Sequence, residues 1–257
     1  MSRFVSIKKA PLIGAFFVLC TLVACEKSEV AASHGQSTHL LQYVVDGDTI
    51  VVDEDTKVRM IGINTPEMGY GDRIQEPFAK QAKTTLTALL GNGEVRLVAG
   101  KEAQDRSGRE LAYVFSGNGK DVQIALLEQG LAFAIAVGEN QSKLSEYLTA
   151  ESKARDKGLG VWGDDYFLPQ QAKILAKQRA RGYRHVTGIV TRTSKSNKHF
   201  SLHLGDTFKV LIPRQFWTDH FKGGITQFIN KKIVTRGWVF TLGNISGVKV
   251  YHPSMIE

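Results

Sequence analysis

The amino-acid sequence predicts an α+β fold made of two strand-rich regions, the first acidic and the second basic. In both regions, short strand-like runs of apolar residues end at Gly, Asn or Asp turns. Apolar residues also recur at helical spacing at three places before residue 163. The charge changes sign between the regions: residues 38–163 carry 14 Lys/Arg and 18 Asp/Glu, whereas residues 182–257 carry 11 Lys/Arg and 3 Asp/Glu.

The first 25 residues have the pattern of an export signal. Positive residues near the start precede an apolar stretch over residues 10–24, which is short for a bilayer span. The stretch ends in Leu-Val-Ala-Cys, which is similar to a bacterial lipobox and predicts a lipidated Cys25. The alternative is a plain secretory signal with an incidental cysteine. Cys20 lies in the removed segment, which excludes thiol chemistry and a Cys-containing zinc site in the mature chain.

These features predict an extracytoplasmic bacterial membrane lipoprotein, on the periplasmic face or the cell surface. Its membrane contact would be the N-terminal lipid anchor. Residues 26–38 are polar and rich in small side chains, so we expect a flexible tether there.

Residues 39–163 are predicted to hold five strands and three helices. Asp46-Gly47 between two apolar runs is a hairpin signal, and Asn92-Gly93 ends the first helix. The predicted strands are 41–45, 49–52, 57–63, 95–98 and 111–115. The predicted helices are 77–90, 122–129 and 146–157; Gly130 and Gly158 end the last two.

Residues 164–181 are predicted to connect the two regions, with a helix from 168 that ends at Gly182. Residues 182–257 then show five strand-like runs at 186–190, 200–204, 208–212, 232–240 and 248–251. A helix near 214–221 separates the third run from the fourth. This is the OB-fold order, so we expect a second, basic OB-like β-barrel.

The basic charge of residues 182–257 favours a nucleic-acid-binding domain, because a cationic surface attracts polyanions. A solvated surface and attraction to anionic lipid are the alternatives. Aromatic side chains that could stack on bases, or pack in the core instead, are Phe200, Phe208, Phe216, Trp217, Trp238 and Tyr251.

Three short segments carry residue types suited to phosphodiester hydrolysis. They are D-G-D-T at 46–49, R-M-I-G-I-N-T-P-E at 59–67 and D-R-S-G-R at 105–109. Cutting a phosphodiester calls for cationic groups that offset the charge at phosphorus and for a carboxylate that activates water. In this order and at this spacing, the segments resemble the motifs of the staphylococcal-type nuclease (thermonuclease) family over residues 39–162.

The resemblance implies a small five-stranded OB-type barrel with three packed helices, SNase-like, for residues 39–163. It also implies a metal-dependent nuclease that hydrolyses DNA and RNA with little sequence preference and leaves 3′-phosphates. No feature of the sequence indicates a protein partner.

The resemblance also implies the cation site. Asp48 would be a direct ligand, with the Asn64 side chain and the Thr65 backbone carbonyl, while Asp46 would support the site without touching the cation. An Asp-Gly-Asp turn can also bond only to its own backbone. The family usually has Asp where this chain has Asn64, and Asn removes one negative charge. We therefore expect Ca²⁺ to bind weakly, or Mg²⁺ or Mn²⁺ to be preferred.

The implied catalytic residues are Arg59, Glu67 and Arg109. Glu67 would act as the general base, or would orient the attacking water. The two arginines would clamp the phosphate through paired hydrogen bonds. Asp105 would orient the turn that carries Arg109. Because of Asn64, a catalytically weak or inactive nucleic-acid-binding envelope lipoprotein is the alternative, and a scaffold bound to anionic lipid is a third.

Overall fold

The computed structural model of the chain describes Met1 and residues 36–69, 71 and 74–257. The predicted lipidation site Cys25, the signal peptide beyond Met1 and residues 26–35 lie outside this part of the chain. The last three residues of the predicted tether, 36–38, are not a linker, because they pair with residues 96–98 as the start of a strand. No helix among the described residues is long and apolar enough to cross a bilayer.

The first domain is a closed five-stranded barrel with helices against it. The barrel strands are β1 (Gln36–Val44), β2 (Thr49–Val52), β3 (Thr56–Met60), β5 (Glu94–Gln104) and β6 (Glu110–Ser116). Two further strands, β4 (Ile63–Asn64) and β7 (Phe133–Ala134), pair with each other outside the barrel. Its helices are α1 (Ala79–Leu90), α2 (Val122–Glu128) and α3 (Leu144–Asp156). The barrel order is β1-β2-β3-β6-β5, in which β3 and β6 are parallel. The predicted barrel with three helices is confirmed.

Burial and capping explain these elements. All four residues of β2 are buried, so both faces of this barrel strand are covered. The α1 helix buries one face, which consists of Ala79, Ala82, Leu86 and Leu90. The α2 helix begins after Asp121, whose carboxylate accepts a hydrogen bond from a backbone N–H three residues on.

A short ribbon outside the barrel carries part of the second motif. The sequence predicted one strand over 57–63, but β3 ends at Met60 and β4 begins at Ile63. Gly62 lies between them with φ of +78°, a left-handed conformation that suits glycine and turns the chain. The β4 strand pairs with β7, which places Asn64 opposite Phe133.

The second domain is built on one sheet. Its strands are β8 (Gln170–Gln171), β9 (Gly182–Ile189), β10 (Arg192–Lys195), β11 (His199–His203), β12 (Phe208–Pro213), β13 (Lys232–Leu242) and β14 (Ile245–Lys249), and its helices are α4 (Ala172–Lys177) and α5 (Arg214–His220). The order is β10-β11-β12-β14-β13-β9-β8. Two residues separate β9 from β10, so they act as one interrupted strand. The order then matches that of the first barrel, including the parallel pair β12–β14.

The connection between the domains differs from the long helix predicted over 168–181. Only Ala172–Lys177 is α-helical. Gln170 and Gln171 are extended because they pair in parallel with β9. Arg179 then has a positive φ of +51°, a left-handed conformation that cannot continue the helix toward Gly182.

The described residues from Gln36 to Glu257 form one compact unit, and aromatic rings pack at the interface between its two domains. Phe133 of β7 stacks on Tyr183 of β9, with ring centroids 5.4 Å apart. His185 packs against both Phe133 and Trp162, with centroid distances of 5.0 and 5.8 Å, and these two rings also contact each other at 5.2 Å. Ion pairs cross the same interface: Arg236–Glu151, Arg155–Glu257 and Arg184–Glu76.

Replacing His185 with phenylalanine is expected to make the folded protein less sensitive to acid. Burial, with Arg236 nearby, lowers the pKa of His185 from 6.5 to about 4. The unfolded chain therefore binds a proton that the folded protein excludes. The resulting stability is present above pH 6.5 and is lost, by up to about 3 kcal/mol, as the pH falls toward 4.

The measurement is urea unfolding of wild type and His185→Phe at about pH 7.5 and about pH 4.5. The variant should lose less stability between these pH values than wild type. An equal loss in both proteins would contradict the assignment.

Candidate active site

The first motif forms the turn between β1 and β2. The Val45 N–H donates to the Thr49 carbonyl at 2.9 Å, and the Asp48 N–H donates to Asp46 Oδ1 at 3.0 Å. Asp48 is 6% exposed, so its carboxylate faces the interior. Its Oδ2 accepts a hydrogen bond of 2.8 Å from the Thr65 N–H. The turn thus bonds to its own backbone and also joins the second motif.

Gly47 permits this close approach. A Cβ at this position would lie 2.7 Å from Thr65 Oγ1 and 2.7 Å from the Ala82 Cβ on α1. The D-G-D spacing therefore has a steric reason, since the turn is pressed between the second motif and the first helix.

Arg59 joins the carboxylate of the first motif to the amide of the second. It lies on β3 and is 9% exposed. Its Nη2 lies 2.9 Å from Asp48 Oδ2 and donates to Asn64 Oδ1 at 3.3 Å. Its Nη1 donates to the Met60 carbonyl at 3.1 Å. These bonds fix the guanidinium at one end of the barrel, because charge-assisted pairs are stronger than neutral ones.

The oxygen atoms of this cluster suit a hard divalent cation. They come from the Asp48 carboxylate, Asn64 Oδ1 and the Thr65 carbonyl, to which the Asn64 amide donates at 3.3 Å. Burial, and to a smaller extent the charge of Asp48, raises the pKa of Asp46 to about 6, because both disfavour its charged form. These residues therefore fit a divalent cation.

Asn64 makes the candidate cation site poorer in carboxylates. Within the described part of the chain, no group of three His, Cys, Asp or Glu side chains could hold a metal. The candidate ligands are therefore the carboxylate of Asp48, the amide oxygen of Asn64 and the backbone carbonyl of Thr65.

Arg109 is held by its own turn between β5 and β6. Its Nε donates to Asp105 Oδ2 at 2.7 Å, and its backbone N–H donates to Asp105 Oδ1 at 3.1 Å. The Ser107 N–H donates to the same Oδ1 at 2.8 Å. The backbone bonds and the Arg109 pairing lower the pKa of Asp105, against the effect of its burial. The carboxylate thus stays charged and orients the arginine.

Glu67 lies in the exposed segment after β4, and its backbone is bound by Glu76. The Glu67 N–H donates to Glu76 Oε2 at 3.0 Å, and the Glu76 N–H donates to the Glu67 carbonyl at 2.9 Å. The other oxygen of Glu76 accepts hydrogen bonds from Tyr166 of the connection, at 3.2 Å, and from Arg184 of the second domain, at 3.3 Å. The second domain therefore contacts the segment that carries the predicted base.

A cleft of about 770 Å³ brings two of the predicted residues together. Arg59 and Arg109 both line it. Asp46, Asp48, Asn64 and Thr65 lie behind Arg59 in the hydrogen-bonded cluster, whereas Glu67 is not among the lining residues.

Sequence reasoning missed Glu76 and Glu151. Glu151 on α3 accepts the Ala134 N–H at 2.7 Å, which ties the β4–β7 ribbon to α3. In the sequence, Glu76 is an acidic residue just before a helix and Glu151 is one of several helical acids. The sequence offers one local signal for Glu151: it occupies a position on the apolar face of its helix, beside Ala150 and Ala154.

The model of the family "Staphylococcal nuclease homologue" matches residues 57–164. A thermonuclease of Staphylococcus intermedius is 34% identical over 128 residues, which cover 49% of this chain and 76% of that protein. A thermonuclease of Staphylococcus hyicus is 33% identical over 141 residues, 54% of this chain and 83% of that protein. An uncharacterized endonuclease of Haemophilus influenzae is 27% identical over 162 residues, 62% and 80% of the two chains.

Proposed function

Because this chain belongs to the family of staphylococcal nuclease homologues, it is a hydrolase that cleaves nucleic acid, and we propose that it works with a divalent cation and little sequence preference. The proposed substrates are DNA and RNA, and the proposed products carry 3′-phosphates. The hydrogen-bonded cluster of Asp48, Arg59, Asn64 and Thr65 carries this proposal. The nuclease relatives favour an enzyme over a protein that only binds nucleic acid.

In this proposal, Asp48, Asn64 Oδ1 and the Thr65 carbonyl hold the cation, with Asp46 supporting Asp48 through the Asp48 N–H. When bound, a divalent cation supplies positive charge to the phosphate oxygens. Ca²⁺ fits a mixed set of carboxylate, amide and carbonyl oxygens, and Mg²⁺ or Mn²⁺ are the alternatives.

Arg59 and Arg109 bind the scissile phosphate from the cleft. Both guanidiniums are held by acidic partners, Asp48 and Asp105, so little reorganisation is needed when phosphate enters. Arg109 binds Asp105 through Nε, so its two Nη groups can donate parallel hydrogen bonds to phosphate oxygens, while Arg59 supplies positive charge beside them. Both effects strengthen as charge develops in the transition state.

Glu67 takes the proton from the attacking water. Glu67 itself is exposed, which gives water access, and its backbone N–H and carbonyl are both bound by Glu76. A positioned carboxylate of this kind raises the rate by about 10²–10⁴-fold.

We also propose an envelope location. In this proposal, residues 1–25 are a lipoprotein signal ending at a lipidated Cys25, and the chain reaches the nuclease domain (39–163) through a short tether. Residues 164–181 connect this domain to a nucleic-acid-binding domain over 182–257. The basic charge of the latter supports that role.

The test is cleavage of single-stranded DNA in EDTA, Ca²⁺, Mg²⁺ or Mn²⁺, with Asn64→Asp beside wild type. Cleavage should require a cation. Asn64→Asp should lower the Ca²⁺ concentration for half-maximal cleavage by roughly tenfold or more, since it restores a ligand charge.

Calorimetric titration of Ca²⁺ should show the same tightening without relying on activity. Asn92→Asp, the same change at an exposed position, is the matched control and should bind Ca²⁺ as wild type does. Equal cleavage in EDTA and in every cation would refute the cation site.

A further inference from the structure

The outer face of the second domain carries an apolar stripe. Trp238, Phe240 and Leu242 alternate along β13, so their side chains share one side of the sheet, while Val239 points into the core. Trp238 is 40% exposed and Leu242 is 79% exposed. Contiguous exposed apolar residues of this kind mark binding surfaces.

The neighbouring strand adds a cation and a close-packed ring. Phe240 pairs with Gly247 of β14, and a Cβ at Gly247 would lie 3.0 Å from Phe240 Cζ, so glycine leaves room for the ring. Lys249 follows on the same side of β14, paired with Leu211 of β12. A positive charge therefore stands beside the aromatic stripe.

This surface is continuous with the proposed active site. The cleft that contains Arg59 and Arg109 is also lined by Trp238, Lys249 and Tyr251. The stripe therefore meets the cleft at Trp238, while Phe240 and Leu242 line an adjacent pocket that shares Trp238, Lys249 and Tyr251 with the cleft.

Among its described lining residues the cleft has four cationic and three acidic side chains, which leaves a small excess of positive charge. Asp105 is paired with Arg109, and Glu139, which also lines the cleft, is paired with Lys101 outside it. Glu102 is the remaining acid on the described lining, which also carries Arg106 and Lys249.

We propose that Trp238, Phe240 and Lys249 bind single-stranded nucleic acid whose backbone continues to Arg59 and Arg109. Aromatic faces stack on unpaired bases while cations follow the phosphates, whereas a duplex hides its base faces. The inference rests on the proposed nuclease function and names the strand form that reaches the site. Other aromatic residues that the sequence suggested for stacking are buried, namely Phe200, Phe208, Phe216 and Trp217.

The binding test uses the full chain in EDTA and an oligothymidylate of about 12 nucleotides, within the size range of such sites. Trp238→Ala should weaken binding of this strand by roughly 5- to 150-fold. Trp238→Leu keeps apolar bulk beside Tyr183 but removes the ring, and it should weaken binding too. Ile189→Ala, an exposed apolar change in the same domain, should have no effect. Affinity for a duplex of equal length should be the same in all four proteins.

The cleavage test separates this inference from the nuclease proposal. A thymidine dinucleotide has no base beyond the two that flank the scissile phosphate, so we expect Trp238→Ala and Trp238→Leu to cleave it at the wild-type rate. If neither wild type nor the variants cleaved the dinucleotide, but the Trp238 variants still bound the single strand more weakly, the nuclease proposal would be refuted. The inference that the stripe binds single strands would then still hold.

Three outcomes would overturn the inference. They are unchanged strand binding in both Trp238 variants, variants that change only self-association in sedimentation, and variants that change only binding to anionic lipid vesicles. The last two would assign the stripe to a second copy of the chain or to a membrane.

Discussion

Replacing Glu67 with glutamine is expected to lower kcat for cleavage of single-stranded DNA by about 10²–10⁴-fold and to leave DNA affinity unchanged. Glutamine matches glutamate in shape but cannot accept the proton of the attacking water. The bonds that hold the segment are between the Glu67 backbone and Glu76, so the substitution does not remove them. The loss should therefore fall on kcat rather than on KM.

The measurement is steady-state cleavage with binding in EDTA measured separately. Glu54→Gln, which makes the same change in an exposed turn of the barrel, is the matched control and should cleave as wild type does. If Glu67→Gln kept more than a tenth of the wild-type kcat, Glu67 would not be the base. If it lost affinity for DNA to the same extent as rate, its role would be in binding.

Replacing Arg236 with methionine is expected to lower the free energy of unfolding by about 3–5 kcal/mol. Arg236 of the second domain donates to both carboxylate oxygens of Glu151, at 2.8 and 2.6 Å, and each side chain is 5% exposed. Burial alone would lower the pKa of Arg236, but the neighbouring Tyr183 and the carboxylate of Glu151 raise it. Methionine fills much of the space but leaves the Glu151 charge buried without its cation.

Urea unfolding checks this expectation with two further variants. Glu151→Gln combined with Arg236→Met should recover much of the loss, because glutamine carries no charge and still accepts the Ala134 N–H. Arg155→Met is the matched control at the same interface, where the ion pair with Glu257 is about half exposed, and it should cost about 1 kcal/mol or less. Equal losses of unfolding free energy for Arg236→Met and Arg155→Met would show that the buried ion pair stabilises the protein no more than the exposed one.

The Arg236 variant also tests how the second domain supports the site. Glu151 holds the Ala134 N–H, and the β4–β7 ribbon that contains Ala134 also contains Asn64. Glu76 links the domains in a similar way, because its two carboxylate oxygens accept hydrogen bonds from Arg184 and from the Glu67 backbone. Both predicted regions of the active site are therefore bound to residues of the other domain, although the family match ends at residue 164.

Local parts of the site could be predicted from the sequence. The turn at Asp46–Asp48 and the Asp105–Arg109 turn bond mainly within themselves, with donor and acceptor two to four residues apart. The α2 helix is signalled by its Asp121 cap and its apolar spacing. Such features depend on backbone preferences and side-chain bonds that act over a few residues.

Errors in the prediction arose where pairing with a distant strand overrides local preference. Residues 36–38 are polar and look like a tether, but they pair with residues 96–98. Gln170 and Gln171 fit a helix, but they pair with β9. Pairing satisfies backbone groups that a helix would otherwise satisfy, and the sequence near these residues does not signal which partner is present.

By itself, the sequence determined the three motifs, most of the strand-like runs along the chain and the division of charge between the domains, because periodicity, turns and composition are local properties. Tertiary structure alone decided which charges meet. The Thr65 N–H reaches Asp48 across 17 residues, Arg236 reaches Glu151 across 85, and Arg184 reaches Glu76 across 108. Such contacts depend on how the barrel closes and how the domains pack, since a buried charge is stable only where the fold brings it a partner.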